Sequence, residues 1–188
     1  MDANRRNIIL CGFMATGKST VGKQLASALG YDFLDMDEMI TAEAGMPIPQ
    51  IFATQGEPAF RAMEARMVDL VASRRGCVVA TGGGTITNPR NLEILKRCGV
   101  VITLSADPQT ILSRVGTGDD RPMLWGGNKL EKIGALLAQR AEAYSKADLI
   151  VDASPPVDQV VKNILTSLAL VSDGLEEKAD KESDHPAH

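Results

Sequence analysis

Residues 12–19 read Gly-Phe-Met-Ala-Thr-Gly-Lys-Ser, set between an apolar run, Ile8-Ile9-Leu10-Cys11, and a helical pattern from Thr20 to Leu29. No other stretch of the chain constrains the fold as strongly. The spacing G-x-x-x-x-G-K-[ST] between strand and helix is that of a phosphate-binding loop. Its glycines let the backbone curl until several N–H groups converge on one anion, and the following helix adds the positive end of its dipole. Lys18 can then reach the β- and γ-phosphates as a point charge, and the Ser19 hydroxyl can sit on Mg²⁺. The expected nucleoside-triphosphate contacts are Gly12, Met14, Ala15, Thr16, Gly17, Lys18, Ser19 and Thr20. The competing reading, a glycine-rich turn with a solvated lysine, leaves the flanking strand and helix unexplained.

The rest of the chain supplies a matching scaffold. β-rich apolar runs at Asn7–Cys11, Asp32–Leu34, Cys77–Ala80, Val100–Leu104 and Leu149–Val151 alternate with helical stretches near 18–29, 58–74, 89–97, 108–114, 130–146 and 157–171. That alternation predicts an α/β fold with a five-stranded parallel sheet. At 188 residues and 44% hydrophobic, the chain can bury one normal core. No apolar run has the length of a membrane span, and no signal-peptide pattern opens the sequence. Cys11, Cys77 and Cys98 lie in or beside apolar runs without C-x-x-C spacing, so buried thiols in a reducing cytoplasm are expected rather than disulfides or zinc.

Charge is unevenly placed. Of 20 Lys and Arg and 24 Asp and Glu, residues 173–188 hold two and six, which leaves 18 of each elsewhere and puts the whole net −4 in the tail. A balanced body argues against a nucleic-acid surface. The polar, aromatic-free segment 172–188 reads as a disordered acidic tail, and His185 and His188 as solvated members of it.

Two segments do not read as simple crossovers. Glu38 to Glu57 suggests short helices broken by Pro47 and Pro49. Val115 to Lys129 places Arg121-Pro122-Met123-Leu124-Trp125 between Gly116, Gly118, Gly126 and Gly127, which reads as a mobile lid around an arginine. A plain surface loop is the alternative, although Leu124 and Trp125 would be odd in solvent.

The chemistry beyond the loop needs acids. The strand ending in Ala80 runs into Thr81-Gly82-Gly83-Gly84 and carries none, so Asp35 and Asp37, just after Phe33-Leu34, are the available pair. On extended chain they point the same way and can address one metal and one substrate hydroxyl. Alternatively, Asp37 caps a helix beginning at Glu38. Gly82, Gly83 and Gly84 either expose backbone N–H groups to a ligand or form a bent turn before Asn88. Arg61, Arg121 and Arg140 are candidate clamps for an anion, although each alone reads as well as a surface arginine.

Taken in order, these residues resemble the shikimate kinases, within the nucleoside-monophosphate-kinase-like branch of P-loop NTPases. The resemblance spans about residues 8–165. It rests on Gly12–Thr20 with Val21-Gly22-Lys23, Phe33-Leu34-Asp35-Met36-Asp37, Ile51-Phe52, Gly56-Glu57-Pro58-Ala59-Phe60-Arg61-Ala62-Met63-Glu64 and Ala80-Thr81-Gly82-Gly83-Gly84. Arg114 with Arg121-Pro122-Met123-Leu124, then Arg140 with Tyr144 and Ala147-Asp148, complete it. It implies a three-layer α/β/α domain over residues 1–171, with a small helical substrate-binding segment near 36–62 and the lid near 115–129. It also implies ATP-dependent phosphorylation of the shikimate 3-hydroxyl on the route to chorismate and the aromatic amino acids, in a cytoplasmic monomer. By the same resemblance Asp37 orients the attacking hydroxyl, and Asp35 and Ser19 act with Mg²⁺. Arg61, Arg140 and Gly82–Gly84 hold the substrate; Arg121 closes beside Lys18 on the transferred phosphoryl group, and Arg114 lies against adenine.

The chain departs from the family pattern in three places. Ala15 stands where a glycine is usual, Ala141-Glu142-Ala143 lacks a usual proline, and Pro155-Pro156 is one residue out of step. A gluconate or nucleoside-monophosphate kinase of the same fold, and a nucleotide-binding regulatory module without turnover, are the competing functions. The Asp-x-Asp and triple-glycine pair favours shikimate over gluconate.

Overall fold

The computed structural model describes residues 5–115, 124 and 127–183, with side chains described up to residue 170. Five strands, β1 (Asn7–Gly12), β2 (Asp32–Asp35), β3 (Cys77–Ala80), β4 (Gly99–Ser105) and β5 (Leu149–Asp152), form one sheet in the order β2-β3-β1-β4-β5. Every pairing is parallel. The expected five-stranded parallel sheet is therefore the one observed. β1 lies at its centre and is buried throughout, which is why its sequence reads as a continuous apolar run and not as an alternation.

Successive β1 side chains feed two separate cores, as the period of two requires. Ile8 and Leu10 pack with Val21, Leu25, Val160 and Ile164 of helices α1 (Lys18–Leu29) and α7 (Val157–Ser183). Ile9 and Cys11 face the other side, with Met67, Leu95 and Ile133 of α3 (Ile48–Ala72), α4 (Pro89–Cys98) and α6 (Lys129–Ser145). Full burial of each such aliphatic side chain contributes about 1.5–3 kcal/mol. The sheet between two helical layers is the three-layer arrangement that the family resemblance implied. All three cysteines are buried free thiols.

Three boundaries differ from the sequence reading. Helix α2 (Met36–Ala44) starts before Glu38, because Asp35 is its cap. Helix α3 begins at Ile48 and runs through the expected break, with a kink at Gly56 (φ 79°, ψ 170°) two residues before Pro58. Pro49 falls in its first turn, where the missing N–H would have no helical partner in any case. Helix α7 continues past Val171 to Ser183, over residues that read as disordered. Among the described residues no helix is long and apolar enough to cross a membrane.

Candidate active site

All the loops that carry candidate residues leave the carboxyl edge of the sheet, where open parallel sheets bind ligands. β1 ends in the phosphate loop. A Cβ on Gly12 would fall 2.3 Å from the Leu104 carbonyl oxygen, so only glycine lets the loop leave beside β4. Gly17 is the N-cap of α1, with φ 89°. Between them Thr16 Oγ1 donates to Phe13 O at 2.8 Å, and Lys18 Nζ donates to Gly12 O at 3.0 Å and Phe13 O at 2.8 Å. The ammonium is thus held at the mouth of the loop. Ala15 has φ 60°, and among the described residues it is the one non-glycine with positive φ. The backbone there takes the left-handed form that a methyl group opposes.

Ser19, in the first turn of α1, donates its hydroxyl to Asp35 Oδ2 at 2.5 Å. Asp35 Oδ1 accepts from Asp37 N at 3.0 Å and Glu38 N at 3.4 Å. Asp35, and not Asp37, is therefore the helix cap, and Asp37 sits one residue inside the helix. Its Oδ1 lies 3.3 Å from where a Cβ on Gly82 would be, so the carboxylate faces the triple glycine. Ser19 and Asp35 offer hard oxygen donors at the loop mouth, a set suited to a magnesium ion that keeps water and phosphate as its other ligands.

The triple glycine is packed between two arginines. A Cβ on Gly84 would lie 2.5 Å from Arg61 Nη1, and one on Gly83 would lie 3.2 Å from Arg140 Nη1. Arg61 donates from Nη1 to Glu64 Oε2 at 2.6 Å and from Nη2 to Glu57 Oε1 at 2.8 Å. Glu64 is 1% exposed, and its other oxygen accepts from Thr85 Oγ1 at 2.7 Å. Burial acts against the Arg61 charge, but Glu64 and Glu57 outweigh it and raise its pKa above the ordinary value. Arg140 is buried, donates to Gly83 O at 3.1 Å and lies over the Phe13 ring, 5.5 Å from its centroid. The triple-glycine side and the phosphate loop are therefore linked by a cation–π pair, and Gly83 itself lies close to Gly12 O and Met14 N.

A cavity of about 460 Å³ opens beside the loop, lined by Ala15, Gly17, Thr20, Arg114, Ser154 and Pro156 among others. Arg114, from α5 (Pro108–Val115), donates to Ala153 O at 2.8 Å and Ser154 O at 3.0 Å, fixing it as one wall. The sequence-selected Thr20 and Arg114 thus line one cavity with Pro155-Pro156. Arg121 and most of the expected lid, residues 116–123 and 125–126, lie outside the described residues. Leu124 is buried at 2% exposure, as its apolar character in a glycine-rich loop suggested.

Three contributors had no role assigned from sequence. Glu64 anchors Arg61, Thr85 satisfies Glu64, and Phe13 backs Arg140. The Arg61-x-x-Glu64 spacing of adjacent helix turns was the available signal for the first. The other two depend on tertiary contact.

The sequence model for shikimate kinase matches residues 14–169. A shikimate kinase of Geobacter sulfurreducens is 45% identical over 162 residues, covering 86% of this chain and 90% of that protein. The structure of shikimate kinase from Acinetobacter baumannii in complex with shikimate superposes with a TM-score of 0.85 at 36% identity, covering 88% of this chain and 94% of the other. A gluconokinase from Sinorhizobium meliloti shares the fold more loosely, with a TM-score of 0.65 at 20% identity, over 93% of this chain and 97% of that one. With the phosphate loop, the aspartates and the arginine-flanked triple glycine on one sheet edge, these likenesses place the chain in the shikimate kinase family.

Proposed function

We propose that this protein transfers the γ-phosphoryl group of ATP to the 3-hydroxyl of shikimate, giving shikimate 3-phosphate and ADP. The observation that carries the reading is the meeting of Arg61 and Arg140 across Gly83 and Gly84, at the edge that also holds the phosphate loop. Two guanidinium groups over a side-chain-free floor suit a compact carboxylate, and arginine forks match its geometry.

In this reading the loop amides and the Lys18 ammonium hold the phosphates, and the cavity at Arg114 takes the adenine. Ser19 and Asp35 would hold Mg²⁺, which when bound would neutralise phosphate charge. Asp37, facing Gly82, accepts the hydrogen bond of the attacking hydroxyl and fixes its direction. Arg61 and Arg140 anchor the acid at the far end of the ring. Arg121 is assigned to the transferred phosphoryl group by family resemblance. Catalysis is then chiefly positioning and charge stabilisation in a site prepared beforehand. A cytoplasmic monomer accompanies this reading.

The test is ADP release from Mg-ATP with shikimate, gluconate, AMP or no acceptor. Release that depends on shikimate alone supports the proposal. Release with gluconate or AMP assigns another acceptor, and nucleotide binding without release for any of them points to a regulatory module.

A further inference from the structure

Arg140 is the one buried cation among the described residues, at 6% exposure, and none of their ion pairs includes it. Arg61, its counterpart across the triple glycine, is held by two glutamates instead. A buried charge without an opposite charge beside it is costly, and a long side chain escapes that cost by turning its head group outward. The Arg140 guanidinium is kept inward by the bond from Nη1 to Gly83 O at 3.1 Å and by the Phe13 ring, whose centroid lies 5.5 Å from Cζ.

The phosphate-loop pattern leaves the residue after its first glycine open, so nucleotide binding does not call for an aromatic ring there. Phe13 divides its contacts between backbone and side chain. Its carbonyl accepts from Lys18 Nζ and from Thr16 Oγ1, each at 2.8 Å, while its ring is 1% exposed and lies against Arg140. A ring face attracts a cation through its quadrupole and brings no anionic charge of its own. A carboxylate in that place would neutralise Arg140 and repel an acidic substrate. The ring therefore supports the buried guanidinium and leaves its full charge for an incoming anion.

We propose that Phe13 is a positioning residue for the acidic acceptor: its ring holds the Arg140 guanidinium in the inward position that receives the substrate carboxylate, a role that rests on shikimate being the acceptor. When the hold of the ring weakens, a smaller fraction of molecules keeps Arg140 inward, and the apparent affinity for the acceptor falls by that fraction.

Replacing Phe13 by a monofluorinated and then a trifluorinated phenylalanine drains the negative potential of the ring face and nearly keeps its shape. Phe13 also lines a cavity of about 170 Å³, so the fluorine atoms have room. The shikimate KM should rise stepwise along the series, to roughly three- to tenfold for the trifluorinated ring. Both kcat and the ATP KM should stay within about twofold of wild type, because Phe13 meets Lys18 through backbone that the change leaves alone. An unchanged or lowered shikimate KM, or an equal rise in both KM values as a general loosening would give, overturns the proposal. Phe13→Leu keeps apolar bulk without a ring and should raise the shikimate KM at least as far. If only Phe13→Leu raises it, the ring acts by shape alone and the proposal fails. If wild-type protein shows no shikimate-dependent turnover, the acceptor assignment itself fails and takes the Phe13 role with it. Shikimate turnover with a flat fluorine series fails the Phe13 role alone.

Discussion

Ser19 and Asp35 are joined by one 2.5 Å hydrogen bond, and the same carboxylate caps α2 with its other oxygen. The side chain thus caps a helix and, in the proposed function, also serves Mg²⁺, and two substitutions separate these duties. Asp35→Asn keeps a good capping oxygen and should cost well under about 1 kcal/mol of stability, yet it removes the charge beside Ser19. Turnover should fall about 10²–10³-fold, and the Mg²⁺ requirement should rise. Asp35→Ala should add a loss of about 1 kcal/mol for the missing cap. Melting curves and magnesium-dependent kinetics on both variants check this. Wild-type turnover in Asp35→Asn would reduce Asp35 to a cap.

Arg61 and Glu64 form a pair in which the acid is buried and the base is about one-third exposed. Removing the arginine leaves a desolvated carboxylate supported by Thr85. Arg61→Ala should therefore destabilise the fold by about 2 kcal/mol, below the 3–5 kcal/mol of a fully buried pair, and raise the shikimate KM more than the ATP KM. The double variant Arg61→Ala with Glu64→Gln should regain part of the stability but none of the affinity for shikimate. A double-mutant cycle measured by urea unfolding tests the coupling, and strict additivity would show that the pair is inert.

Much of this was legible in the sequence, because the features concerned are local. Gly12, Gly17 and the run Ile8–Cys11 announce the loop and its strand within a dozen residues, and the alternation of runs gives the sheet. Asp35 as cap was legible too, since Asp35 with Glu38 three residues later has the spacing of a capping box, but the extended-chain reading of Asp35 and Asp37 concealed it. What sequence does not carry is contact across distance. Thr85 reaches Glu64 over 21 residues and Tyr144 reaches Gly83 over 61, and no periodicity connects them.

Ala15 holds φ 60° in the phosphate loop, a conformation that costs an L-residue about 1–2 kcal/mol. Glycine relieves that strain but gives the unfolded chain more freedom, worth about 0.4–1 kcal/mol. Ala15→Gly should therefore gain about 0.5–1 kcal/mol and raise Tm by about 1–4 °C. ATP should also bind more tightly, because the loop no longer resists the shape that places its amides. Thermal unfolding with and without Mg-ATP measures both effects. A lower Tm together with weaker ATP binding would mean that the methyl group packs favourably where the backbone is strained.

Alkaline stability provides a test of the core beneath the site. Burial pushes the Cys11 thiol from 9.0 up to about 11 and the Tyr144 phenol from 10.0 up to about 12. In both cases the folded state holds its proton more tightly than the unfolded chain. Each contribution is complete below the unfolded value and is lost as pH rises through the folded one. Stability should thus be level in this respect below pH about 9, decline between about 9 and 11 as Cys11 is lost, and decline further toward 12 with Tyr144. The Cys11 share is on the order of 2–3 kcal/mol at about 1.4 kcal/mol per unit. Cys11→Ala should be less stable at pH 7, through lost packing at a site with no exposure, yet should decline less steeply from pH 9 to 11. Unfolding free energies at a series of pH values compare the two slopes. Equal slopes would mean that the thiol titrates alike in the folded and unfolded chains, and that burial at the root of the phosphate loop does not hold its proton.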